Sequence, residues 1–112
     1  MEHNKNFKLG ADQIKDLIPR MGGCMATDKI TVNGEPVKYM YRQEPVNNID
    51  SGWVFLSGTE TQEYLDDAVN TMIYDVNTIA NYDKAIIPYL NLPIGSDLER
   101  IEGTDTFENY AG

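Results

Sequence analysis

The chain is poor in the side chains that do chemistry. It has one cysteine, Cys24, and one histidine, His3. A single thiol excludes an internal disulfide and suits a reducing compartment. One His and one Cys cannot assemble a zinc site. The histidine sits in a polar start, Met1 to Asn6, that is expected to fray, so no rigid element holds a Ser-His-Asp or Cys-His pair. Cys24 falls in a segment that reads as strand, where a thiol behaves as a small hydrophobe. No stretch matches the Walker phosphate loop or the calcium loop, and no glycine-rich turn opens a helix. Leu56-Ser57-Gly58 lacks the first glycine of a nucleophile elbow, so Ser57 reads as a strand end.

Long apolar runs are also missing. Met1 to Gly10 has no apolar core of the kind a signal peptide carries, and no run reaches the length of a membrane span. A cytoplasmic protein without membrane association is the expectation. Cations are scarce after the first third of the chain. Residues 1–42 hold seven Lys/Arg and five Asp/Glu, whereas residues 43–112 hold two and thirteen, for a net charge of −9. The basic residues from position 42 onward are Arg42, Lys84 and Arg100. Such a surface repels nucleic acid and anionic lipid and speeds the encounter with a basic partner. Acidity also serves solubility alone.

Carboxylates are what the chain has in plenty. Asp66-Asp67 reads as solvated surface. Asp75 and Asp83 are the better candidates for a site, with helix capping as their ordinary role. With no nucleophile-base pair, metal cluster or cofactor motif beside them, a non-enzyme with no cofactor is the reading.

With 112 residues, the chain suits one domain and buries roughly 65% of the surface its unfolded form exposes. Its centre is Ser51-Gly-Trp-Val-Phe-Leu-Ser-Gly58. Trp53 and Phe55 point to one face, Val54 and Leu56 to the other, and a strand with two apolar faces is expected to be covered on both. Ala11 to Ile18 reads as a two-turn helix with an Ile14, Leu17, Ile18 stripe, ended by Pro19. Phe7 and Leu9 before it suit a short strand or a docking arm. Cys24–Val32 and Pro36–Glu44 read as a hairpin around Asn33-Gly34, with Tyr39 and Tyr41 toward the core and Lys38, Met40 and Arg42 away from it. The Ser51–Gly58 strand completes a three-stranded antiparallel meander.

Thr59 with Gln62 matches a capping box opening a helix whose inner face is Tyr64, Leu65 and Ala68. Met72–Tyr74 is extended. Asp75 caps a helix Val76–Tyr82 with Val76, Ile79 and Ala80 inward, and Asp83 caps a segment broken by Pro88. Ser96–Glu102 supplies an extra strand with Leu98 inward, and Thr104–Gly112 is polar and loose. The fold class is α+β: a small antiparallel sheet, a meander plus one strand, packed with short helices.

Three segments carry a resemblance. They are Met21-Gly-Gly-Cys-Met-Ala-Thr-Asp28 leading to Asn33-Gly34 and Tyr39-Met-Tyr-Arg42; Asp50-Ser-Gly-Trp-Val-Phe-Leu-Ser-Gly58; and Tyr74-Asp-Val-Asn-Thr-Ile-Ala-Asn-Tyr-Asp83 with Pro93-Ile-Gly-Ser96 and Glu99-Arg100. Together they resemble the bacterial immunity-protein-33-like domain, long known as a domain of unknown function, over about residues 20–101. The resemblance implies a protein of polymorphic toxin systems that binds and neutralises a toxin, with no catalytic motif to carry across. A basic toxin domain is then the expected partner. The contact surface is expected on the acidic half: Asp75, Asn77, Asn81, Tyr82 and Asp83, with Tyr41, Arg42 and Trp53 as neighbours. The alternative is a structural or small-ligand-binding domain, as a monomer or a dimer, with tyrosines lining a cleft.

Overall fold

The computed structural model describes residues 5–110, which leaves His3 and most of the polar start outside the described residues. Six strands form one mixed sheet among them: β1 Gly23–Thr27, β2 Tyr39–Arg42, β3 Asp50–Leu56, β4 Thr71–Asp75, β5 Asp97–Arg100 and β6 Phe107–Asn109, in the order β4-β1-β3-β2-β5-β6. The α+β class holds, but the sheet is larger than a meander plus one strand, and it is not wholly antiparallel. β3 pairs antiparallel with β2, as expected, and parallel with β1.

The hairpin expected around Asn33-Gly34 is replaced by a helix. After β1 the chain enters α1, Asp28–Thr31, a single turn that buries Ile30 and Thr31. Gly34 adopts φ 75° and donates its N–H to the Ile30 carbonyl, while Glu35 N–H bonds Lys29 O. The glycine therefore closes a helix, which needs a left-handed residue as much as a hairpin turn does. Because β1 leaves the sheet this way, β2 cannot fold back on it, and β3 enters between them.

The inward face of β2 is also the reverse of the expectation. Met40 is fully buried and lies in register with Phe55 and Leu98, whereas Tyr39 and Tyr41 are half-exposed on the opposite face. Side chains alternate, so the helix-covered face takes Cys24 and Ala26 from β1, Trp53 and Phe55 from β3, Met40 from β2 and Leu98 from β5. Ile30, Val76, Ile79, Ala80 and Ile86 pack on them. Trp53 and Phe55 stack with ring centroids 6.0 Å apart.

β3 carries two residues more than β1 between their paired positions, Gly23 with Asp50 and Met25 with Val54. Gly52 makes this bulge possible. It has φ 88°, and a Cβ there would sit 2.1 Å from the Gln43 carbonyl oxygen.

α3, Val76–Tyr82, matches its sequence expectation, including the buried Val76, Ile79 and Ala80. Asp83 caps the following 3-10 segment, Lys84–Tyr89, by accepting from Ala85 N–H. Asp75 holds the N-cap position of α3, but its side chain makes no capping bond. The other expected helices shrink. Ala11–Gln13 is one 3-10 turn, and residues 14–22 run without regular structure. The chain after β6's partner strand also differs: Phe107, in the stretch expected to be loose, is buried in the core.

α2 is Gln62–Asp66, capped by Thr61, whose hydroxyl accepts from Tyr64 N–H, rather than by Thr59. None of its residues is buried. Thr59 and Glu60 instead build the turn before it. The Glu60 carboxylate accepts from the Thr27 hydroxyl and from Ser57 and Gly58 N–H. Burial alone would raise its pKa, but the hydrogen bonds from Thr27, Ser57, Gly58 and its own N–H outweigh it and hold the group below the ordinary value of 4.5.

A carboxyl group with a depressed folded pKa stabilises the fold above its unfolded value and loses that contribution as pH falls through the folded value. Glu60→Gln is therefore expected to cost about 1 kcal/mol at pH 7. Urea melts at falling pH should show wild type and variant converging below the ordinary glutamate range. A gap that persists there contradicts the assignment.

Candidate functional site

The structure distributes the eight residues expected at a contact surface over several environments. Trp53 is 1% exposed, and its indole N–H donates to Leu90 O at 3.0 Å. Arg42 lies over the Trp53 ring, 5.7 Å from its centroid, and donates to Ser51 O and Leu92 O, both at 2.8 Å. These two side chains fasten the loop before β5 to the sheet. Asp83 binds Arg100 through both carboxylate oxygens, at 2.8 and 3.2 Å, and accepts from Val37 N–H.

Asn77, Asn81 and Tyr82 lie on the outer side of α3, as their helical spacing implies, but their polar atoms serve the chain's own N-terminal segment. Asn77 Oδ1 accepts from Leu17 N–H (2.8 Å), and its Nδ2 donates to Lys15 O (2.8 Å). Asn81 accepts from Lys15 N–H and donates to Lys15 O, both at 2.9 Å. The Tyr82 hydroxyl accepts from Leu9 N–H. This explains the missing helix over 11–18. The side chains of α3 take the main-chain groups that helical bonds would need, and Pro19 closes the stretch. Leu17, Ile18 and Met21 then pack on the core. Phe7 meets Tyr74 edge-on at 6.1 Å, so the first described residues act as a docking arm.

Asp75 is exposed and lines a groove of about 340 Å³ with Asp16, Arg20 and Asn77. Asp83 lies elsewhere, beside Arg100. The two carboxylates offered above as site candidates therefore share no pocket. Among the described residues no cluster of His, Cys, Asp or Glu could hold a metal ion. Burial, reinforced by Asp75 and then Asp50, pushes the Cys24 thiol far above its ordinary pKa, so it is not poised as a nucleophile.

Tyr41 leads to a different surface. It lies on the sheet face opposite the helices, and the register places a row across that face: Ile73 of β4, Met25 of β1, Val54 of β3, Tyr41 of β2 and Asp97 of β5. A second row reads Leu56, Tyr39, Glu99 and Glu108. Tyr110 packs edge-on against Tyr39 at 5.7 Å. Val54 at the centre of the row is buried, 6% exposed, but none of these residues joins the cluster on the helix-covered face. Ile73 is 75% exposed and Met25 38%, and Val46 and Ile49 project from the β2–β3 loop.

The face is thus apolar and aromatic in its middle and acidic toward β5 and β6. Lys38 stands 3.6 Å from Glu99. Burial, with Asp97 close by, raises the Tyr41 pKa, which keeps its hydroxyl a neutral donor at physiological pH. Val54 and Leu56 share their own face, as alternation implies, and Val54 is buried there as expected, while the face opens toward β4 at Ile73 and Met25. The available signal was the fourfold Met25, Val54, Tyr41, Ile73 alternation, which becomes visible only once the register is known.

A protein-family model described as "Immunity protein Imm33 domain" matches residues 24–111. No curated protein and no solved structure matches the chain. Among the described residues no helix is long and apolar enough to cross a membrane.

Proposed function

The chain belongs to the Imm33 immunity-protein family, and on that premise we infer that it neutralises a basic bacterial toxin domain in the cytoplasm by covering it, without transforming it. The observation that carries this reading is the partly open sheet face, apolar and aromatic in its middle, with Ile73 and Met25 exposed, and acidic at its margin. A partly exposed apolar patch of that kind on a small protein suits a contact site. Tyrosines at its centre supply large, rigid contact area, and the carboxylates of Asp97, Glu99 and Glu108 supply attraction to cationic side chains. The net charge of −9 acts at longer range, steering a basic partner into encounter.

The test is co-expression with each toxin domain found encoded near its gene. Growth rescue together with a stoichiometric complex of the purified proteins is the expected result. Rescue with no complex, or turnover of any compound by the pure chain, overturns the reading.

A further inference from the structure

The row of apolar side chains on the open face runs to one rim of the sheet, and that rim is unprotected. β4 is the outermost strand and pairs only with β1 among the described residues. Ahead of the ladder, Val76 N–H bonds Gly22 O at 3.0 Å. In an antiparallel pair, positions that exchange hydrogen bonds alternate with positions that do not. The Gly22–Val76 bond therefore makes Cys24–Tyr74 and Ala26–Met72 the bonded pairs. Thr71, Ile73 and Asp75 must turn their main-chain groups away from β1, but Thr71 N–H is already taken by Ala68 O and Asp75 C=O opens the bonding of α3, so the free outward groups centre on Ile73 N–H and C=O and Asp75 N–H.

Sheet edges are usually guarded by a lysine, a proline, a charge pointing across the strand, or by being very short. The opposite edge has such a guard: β6 is three residues long and carries Glu108. β4 reads Thr-Met-Ile-Tyr-Asp over five residues, with no Lys or Pro. Its central residue, Ile73, is the most exposed apolar member of the open-face row.

We propose that β4 is a docking edge, on which an extended segment of the basic toxin adds as a seventh strand. This rests on the immunity reading and names how the contact is made. An added strand would take Ile73 N–H and C=O and Asp75 N–H. Its alternate side chains would continue the Ile73–Met25–Val54–Tyr41 row. Charge selects the occupant. A second copy of the chain brings another net charge of −9 to the same rim, whereas a cationic segment meets Asp75, and Asp66 and Asp67 just before the strand.

Ile73→Pro tests this. The substitution removes a donor that no β1 residue uses, and proline is tolerated on edge strands with that group facing solvent. The comparison variant is Ile73→Ala, which keeps the N–H and loses the side chain. With the toxin domain that rescue and complex formation identify as probe, Ile73→Pro should weaken binding roughly ten- to a hundredfold beyond Ile73→Ala, because a main-chain acceptor in the contact is left unpaired. Hydrogen exchange on the wild-type complex gives a second reading that needs no variant. The amides of Ile73 and Asp75 should become protected on binding.

A wild-type complex in which Ile73→Pro binds like Ile73→Ala, or in which these amides stay open, overturns strand addition and leaves the immunity reading standing. No complex with the wild-type chain removes both. Dimerisation of the isolated chain through these same amides would assign the edge to a second copy and overturn the toxin assignment.

Discussion

Asp83→Ala is expected to destabilise the fold by about 3–5 kcal/mol, a large share of the 5–15 kcal/mol that holds a domain of this size together. The side chains of Asp83 and Arg100 are only 10% and 11% exposed. The carboxylate meets Nη1 and Nη2 of Arg100 in a forked pair and also accepts from Val37 and Ala85 N–H. Arg100 Nη1 further donates to Val37 O, and its guanidinium lies 5.2 Å over the Phe107 ring. The pair thereby ties the start of the 3-10 segment to the run before β2, to β5 and to β6.

Removing the carboxylate leaves the buried guanidinium with only the solvent-exposed Asp105 carboxylate, 3.4 Å away, and leaves two N–H groups without their acceptor. That loss exceeds what the pair contributes net, since bringing both charges out of water was costly in the first place. The double replacement Asp83→Leu with Arg100→Met should therefore be much milder than either single change. Urea unfolding of the four proteins reads this directly. If Asp83→Ala costs no more than a surface substitution, the pair is not structural, and Asp83 returns as a candidate contact residue.

What the sequence made legible was local. Asp75 before a Val76, Ile79, Ala80 stripe, and Asp83 before Ala85, specify a helix and a cap using neighbours within one turn. Leu98 and the Trp53–Phe55 face follow from alternation alone. The errors arise where distant residues decide. Asn33-Gly34 is equally suited to end a helix or turn a hairpin, and the choice depends on β3 taking the place beside β1. Met40 rather than Tyr41 faces the core because the register sets it beside Phe55 and Leu98.

Residues 11–18 have a helical stripe, yet Asn77 and Asn81, some sixty positions away, hold their backbone in another shape. Phe107 sits in a polar tail and is recruited by Arg100 and by the Tyr89 ring, 5.2 Å away. The same distance problem hid the open face, whose members come from six strands. Of the contact residues expected from sequence, Tyr41 lies within it, and Asp75 ends the strand that borders it.

Tyr41→Arg is expected to weaken toxin binding by at least about 2 kcal/mol, roughly thirtyfold or more. Tyr41 sits in the middle of the row, between Val54 and Asp97, and is half-buried before any partner arrives. A central residue of that kind loses its remaining water on binding and is surrounded by contacts that exclude solvent, the setting in which truncations cost most. Arginine removes the rigid ring and adds a cation facing a basic partner, so attraction and fit fail together.

Asp12→Asn makes the same one-unit change in net charge beside the Tyr82 side of α3, away from this face. It should lower the association rate slightly and leave dissociation alone, because distant charge acts by steering. Tyr41→Arg should raise the dissociation rate as well, and thermal melts should show both variants folded. Rising salt should weaken wild-type binding, since acid–base attraction at the rim is screened beyond a Debye length of about 8 Å at physiological ionic strength. Equal effects from the two variants, confined to the association rate, would mean that charge alone drives recognition and that the open face is not where the toxin sits.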